Sequence, residues 1–143
     1  MPIKQLSVFV QNVPGRLAEI AGIIAGSGID IRALSLADTT NFGILRIIVD
    51  EPDKALQKLK DSELSVKCTN VIAVGIDDFP GGFAKAVKTL GDAGVSVEYS
   101  YAFLGRETGR AMVVFRTDND EKALAALKNG GMTVLAEKDV YKV

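Results

Sequence analysis

A tandem repeat constrains this chain more than any other feature. The segment Val8-Phe9-Val10-Gln11-Asn12-Val13-Pro14-Gly15 returns as Val74-Gly75-Ile76-Asp77-Asp78-Phe79-Pro80-Gly81, 66 positions later. Gly28-Ile29-Asp30-Ile31 returns at the same spacing as Gly94-Val95-Ser96-Val97. Ala55-Leu56-Gln57-Lys58-Leu59-Lys60 meets Ala123-Leu124-Ala125-Ala126-Leu127-Lys128 at 68 positions, so two residues enter before the second helix of the later copy. Two copies make a duplicated domain rather than a solenoid. The expected domains are residues 1–69 and 70–143, with the boundary near Thr69-Asn70. A unit of roughly 70 residues buries a modest core, so each copy should need the other or a partner chain.

Both copies read as the same run of elements. Leu6, Val8 and Val10 alternate with Gln5, Ser7 and Gln11, a strand period. Asn12-Val13-Pro14-Gly15 is a turn that opens a helix, with Leu17, Ile20, Ala21 and Ile24 at helical spacing. Gly26 and Gly28 close that helix. Strands follow over Ile29–Ala37 and Gly43–Asp50, separated by a turn at Asp38-Thr39-Thr40-Asn41. Pro52-Asp53 starts a short helix, and Leu64–Cys68 is the last strand. The second copy gives strands at 71–76, 95–103, 111–116 and 133–136, and helices at 83–93 and 120–128. Residues 138–143 are expected to extend the last strand or to pair elsewhere. The fold class is therefore α+β: two ferredoxin-like βαββαβ domains, antiparallel sheets with both helices on one face.

Strand parity carries a further expectation. If Leu45, Ile47 and Val49 face the helices, Ile44 and Ile48 face away, together with Phe9, Leu34 and Leu36; Met112 and Val114 do the same in the second copy. An apolar sheet back needs a cover, and a homodimer through the sheet faces is the expected one. A bulge would undo that parity.

Histidine is absent, which removes the usual general base near neutral pH, Ser-His and Cys-His nucleophile pairs, and histidine metal sites. No Gly-rich loop ends in Gly-Lys-Ser or Gly-Lys-Thr. Seventeen Lys+Arg against eighteen Asp+Glu, with no basic block, leave no footprint for nucleic acid or an anionic membrane. Tyr99, Tyr101 and Phe103 alternate as core residues of a strand rather than as a base-stacking platform. The lone Cys68 reads as a structural thiol and suits a reducing compartment. The start of the chain has no signal-peptide anatomy and no apolar run approaches membrane-spanning length, so the expected location is cytoplasmic.

The repeated corner is the candidate site. A first helical turn leaves backbone N–H groups without intrahelical partners, and the helix dipole adds partial positive charge there. A carboxylate suits that end. Gly15, Gly81 and Gly82 let a ligand approach the backbone, and Asn12 or Asp78 can bond an ammonium group. An α-amino acid carries both charges at one carbon. The same residues also make an ordinary turn and helix start.

Asn12-Val13-Pro14-Gly15 with Leu17, followed by Gly28-Ile29-Asp30-Ile31, resembles the ACT domain, a family of small amino-acid-sensing regulatory domains. Asp78-Phe79-Pro80-Gly81 with Phe83, followed by Gly94-Val95-Ser96-Val97, resembles it less closely. The resemblance spans essentially the whole chain. It implies two ACT domains paired side by side, effectors at their interface, no catalytic residues and no cofactor. By that resemblance Asn12 and Asp78 fall at the loop position and Asp30 and Ser96 at the second-strand position; beside them Arg16 is the candidate carboxylate partner, Gly15, Gly81 and Gly82 admit the ligand to the backbone, and Val13, Leu17, Phe79 and Phe83 help set the pocket depth. If the copies pair within the chain, Asn12 shares a site with Ser96, and Asp78 shares one with Asp30. The first is neutral, with Arg16 as a carboxylate partner; the second crowds carboxylates, so an amino acid should prefer the first. An allosteric output would pass through a regulated enzyme partner.

Other readings stay open on the residues. Asp77, Asp78 and Asp30 could hold a divalent cation, although their spacing is irregular. The fold also supports acylphosphatase chemistry, for which Arg16 and Asn12 are suggestive while the Gly-rich Arg loop is missing. A structural or assembly subunit without ligand is the third.

Overall fold

The computed structural model describes residues 3–38, 41–105 and 110–141. Contacts divide the chain into two units, Lys4–Thr69 and Asn70–Tyr141. The first contains β1 (Ile3–Gln11), α1 (Arg16–Gly26), β2 (Ile31–Asp38), β3 (Phe42–Val49), α2 (Pro52–Asp61) and the start of β4 (Val66–Asp77). The second takes the rest of β4, then α3 (Gly82–Asp92), β5 (Val97–Ala102), β6 (Arg110–Thr117), α4 (Asp120–Asn129), β7 (Thr133–Val134) and α5 (Glu137–Tyr141). The chain thus passes from one unit to the next inside a continuous strand. Thr69-Asn70 carries no Gly or Pro to break extended backbone, so the last strand of one copy becomes the first of the next.

In the first unit β3 lies between β1 and β2, antiparallel to both. The outer edge of β1 meets the stretch leading into β4, where the Phe9 amide donates to the Ser65 carbonyl at 3.0 Å. In the second unit β6 pairs with β4 and β5, and β7 adds to the other edge of β4, all antiparallel.

Each unit buries the same helical positions. Ile20 and Ile24 of α1, with Ala55 and Leu59 of α2, pack on Leu6, Val8, Val10, Leu45, Ile47 and Val49. Ala86 and Leu90 of α3, with Ala123 and Leu127 of α4, pack on Ile72, Val74, Val113 and Phe115. Every helical pair is four residues apart, which stacks the two side chains on one face. Pro52 sits in the first turn of α2, where its missing N–H costs nothing. Asn119 caps α4 by accepting from the Lys122 amide at 3.1 Å.

The bulge in β2 overturns part of the parity expectation. Ile31 pairs with Val49, but the register shifts before Ala33, which pairs with Ile48. Leu34 and Leu36 are therefore opposite Ile47 and Leu45, on the helix-bearing face rather than the sheet back. Phe9 and Ile44 do lie opposite one another on the back, as Met112 and Val114 lie on the back of the second unit. Tyr99 and Tyr101 share that back face; both are half-buried, and their rings stack with centroids 6.5 Å apart.

Two smaller differences concern termini and loops. Glu137–Tyr141 forms a helix, not a strand, because Asp139 accepts the Ala136 amide at 2.9 Å and Val140 is buried. Thr39 and Thr40, the middle of the turn expected at Asp38-Thr39-Thr40-Asn41, lie outside the described residues. Cys68, read as a structural thiol, is exposed.

Candidate functional site

Both corners use glycine at the helix N-cap in the left-handed region, Gly15 at φ 87° and Gly81 at φ 97°. Side chains resist that region and glycine does not. Neither cap has a side chain to receive the first-turn amides. At the first corner the Arg16 amide reaches the Val13 carbonyl at 3.3 Å and the Glu19 amide reaches Gly15 at 3.0 Å. The Leu17 and Ala18 amides between them have no intrahelical acceptor by the geometry of an α-helix start.

Those amides open beside a pocket of about 220 Å³ lined by Val10, Gln11, Asn12, Val13, Leu17, Leu36 and Gly43. The strand pairing explains how it forms. Val10 and Gly43 are direct partners, and Leu36, turned to this face by the β2 bulge, leans over Gly43. A Cβ at Gly43 would lie 3.3 Å from Leu36 Cδ1, so the missing side chain is what lets Leu36 pack over the strand and form the floor. Drug-sized ligands occupy roughly 300–1,000 Å³. This pocket suits something smaller.

The predicted residues divide by place. Asn12, Val13 and Leu17 line the pocket, and Gly15 shapes its helix end. Arg16 stands at the rim, where its guanidinium meets Gln11 Oε1 at 3.4 Å and Glu19 Oε2 at 3.5 Å. Asp30 sits at the opposite end of the same sheet, about 25 Å away at ~3.3 Å per strand residue. There its carboxylate accepts from Arg32 at 3.0 Å, while its amide donates to Asp50 Oδ1 at 2.9 Å. A single unit therefore does not bring Asn12 and Asp30 together.

The second corner repeats the backbone and changes the filling. Gly82 donates to the Phe79 carbonyl at 3.1 Å and Lys85 to Gly81 at 2.9 Å. Phe83 stands where the first copy has Leu17, and its ring stacks on Phe115 at 5.9 Å and 15°. Ala111, paired with Ile76, stands where the first copy has Gly43. Phe79 projects at 62% exposure. Ser96 is at the far end of this sheet, where its amide donates to Asp118 Oδ1 at 2.9 Å.

Sequence reasoning missed Val10, Gln11, Leu36 and Gly43 as lining residues, and Asp50 and Asp118 as clamps on the second-strand starts. The clamps had a signal, since the two aspartates recur 68 positions apart like the rest of the repeat. Among the described residues no three His, Cys, Asp or Glu side chains gather as a metal site. Away from the corner turn, Asp92 accepts from Lys88 at 2.9 Å on exposed α3, and that bond and charge raise the lysine pKa.

The sequence model of the ACT domain pair matches residues 1–143. The chain belongs to the ACT domain pair family. Such pairs are regulatory modules. This ACT pair is similar to a solved protein from Bacteroides thetaiotaomicron at 39% identity and TM-score 0.93, over 100% of this chain and 98% of that one. It is similar at 18% identity and TM-score 0.66 to the ligand-free regulatory subunit of aspartate kinase from Thermus thermophilus, over 91% and 93%. It also resembles aspartate kinase from Synechocystis at 22% identity and TM-score 0.60, over 93% of this ACT pair and 26% of that chain. The last two likenesses show the fold. No curated protein matches the sequence. Among the described residues no helix is long and apolar enough to cross a membrane.

Proposed function

We propose that this ACT pair is a ligand-sensing regulatory module, without catalysis of its own, that takes a free amino acid at its first corner. The observation that carries the reading is the open pocket at Asn12, Leu17 and Gly43, set beside the first-turn amides of α1. The ligand carboxylate bonds the Leu17 and Ala18 amides, and the side-chain oxygen of Asn12 accepts from its ammonium group. Arg16 is already shared between Gln11 and Glu19, so it assists the carboxylate only by giving up those bonds. Occupancy favours the first corner over the second, where rings and the Asp78 carboxylate meet the ligand.

Regulation follows by population shift: the amino acid favours whichever arrangement it bridges best. The implied partner is a separate enzyme. Fold likeness to an aspartate kinase regulatory subunit supports that type of output without naming the enzyme. Phe9 and Phe42, 46% and 52% exposed on the sheet back, supply apolar surface for homodimerisation.

Isothermal titration of the full chain against each of the twenty amino acids tests the reading. At least one should bind with one ligand per chain and raise Tm as its concentration passes Kd. Asn12→Ala should weaken that ligand about tenfold, the scale of one lost hydrogen bond to a charged group. Absence of heat and of thermal shift with all twenty would overturn it.

A further inference from the structure

The lining of the first corner is specific enough to select among amino acids. Resting on the reading that this corner takes a free amino acid, we infer that its ligand carries a branched aliphatic side chain: valine, leucine or isoleucine.

Four lining residues, Val10, Val13, Leu17 and Leu36, are aliphatic. Three of them are substantially exposed around the empty pocket, at 46%, 40% and 48% for Val13, Leu17 and Leu36. Apolar side chains gathered round one opening are left wet until something apolar covers them. The polar side chains, Gln11 and Asn12, come from the end of β1 and the turn beyond it. The rest of the lining is hydrocarbon and the bare backbone of Gly43.

Among the described residues no lining side chain is ionisable. A lysine or aspartate side chain placed here would lose water and gain no counter-charge, which is costly for any ion. A hydroxyl would be left among the aliphatic walls. Leu36 Cδ1 lies 3.3 Å from where a Gly43 methyl would sit, so the floor beside Val10 is closed by aliphatic carbon.

The isosteric pair valine and threonine is the sharpest probe, because the two differ by a methyl against a hydroxyl. Titrations of the full chain should show valine, leucine or isoleucine as the tightest ligand. Threonine should bind about ten- to a hundredfold more weakly than valine, the range of discrimination an apolar slot achieves. Lysine and aspartate should be weaker still.

Gly43→Ala adds one methyl to the floor at a position whose backbone tolerates it. It should keep or raise Tm and lower affinity for leucine and isoleucine about tenfold more than for valine. Leu36→Ala should weaken valine, leucine and isoleucine about tenfold by removing an aliphatic wall. Tight binding led by threonine, lysine, aspartate or phenylalanine would overturn the aliphatic assignment while leaving the amino-acid reading intact. If no amino acid binds, that broader reading fails, and this one with it. Equal losses for all ligands in Gly43→Ala would remove Gly43 as the residue that reads chain length.

Discussion

Leu17→Phe transplants the aromatic of the second corner into the first. In the second unit Phe83 lies over Phe115 with ring centroids 5.9 Å apart, and the matching sheet position in the first unit is Ile47. The introduced ring has no aromatic partner there, but it has open space before it: the pocket of about 220 Å³ that Leu17 now borders. Occupying that space removes the contact between the ligand side chain and Leu17, Leu36 and Val10. Burying an aliphatic side chain is worth about 1.5–3 kcal/mol. At 1.4 kcal/mol per decade, affinity should fall roughly 10- to 150-fold. Stability should hardly move. Leu17 is 40% exposed, and changes at such positions stay within about 0.5 kcal/mol, or roughly 1–2 °C at this chain length. Calorimetric titration with the ligand identified on the unmodified protein reads the first quantity, and a melt followed by circular dichroism reads the second. A folded variant that binds with unmodified affinity would show that the ligand does not enter beside Leu17.

Two further predictions follow from backbone details of the repeat. Asp50→Ala and Asp118→Ala each remove the carboxylate that holds the amide just before the neighbouring strand, at Asp30 and Ser96, and each should cost about 1 kcal/mol in urea unfolding. The Asn variants keep an acceptor oxygen and should recover about half of that. Gly82→Ala would push a methyl into the Asp77 carbonyl oxygen and should cost about 1–3 kcal/mol. Gly22→Ala, in mid-helix with nothing within 4 Å, should instead stabilise by about 0.5–1 kcal/mol. Thermal melts of the two glycine variants, moving in opposite directions, check both.

Most of the fold was legible because duplication writes each helix and strand twice. Ile20 and Ile24 return as Ala86 and Leu90, and Ala55 and Leu59 as Ala123 and Leu127, all at helical spacing. The corner was legible for a similar reason, since Pro-Gly follows a strand in both copies and both glycines take positive φ. The floor of the pocket was not. Leu36 reaches it only because the pairing of β2 slips by one residue between Ile31 and Ala33, and nothing in Ile31-Arg32-Ala33 marks a bulge. A slip of one residue moves every later side chain to the other face. Leu36, expected beneath the sheet with Leu34, thus became a wall of the pocket. Gly43 escaped notice because its role depends on a neighbour one strand away. The passage through Thr69-Asn70 without a turn was equally hidden, as an extended junction and an extended strand look alike in sequence.

The contrast between the corners has a physical source beyond charge. The shift in repeat spacing from 66 to 68 is complete by the third strand, since Val10 pairs with Gly43 but Ile76 with Ala111, so the extra residues lie between β5 and β6. The last strand of the second unit, β7, is only two residues long before the chain turns into α5. A short edge strand offers little apolar surface to the helices. Phe115 replaces an aliphatic residue in that core, and Phe83 stacks on it, an arrangement worth about 0.5–1.5 kcal/mol beyond the area buried. Ala111 stands where the first copy has glycine. The two rings add packing to the unit with less strand to bury. One copy thus packs through stacked rings while the other keeps an open pocket, so the proposed preference for the first corner rests on packing as well as on the Asp78 carboxylate.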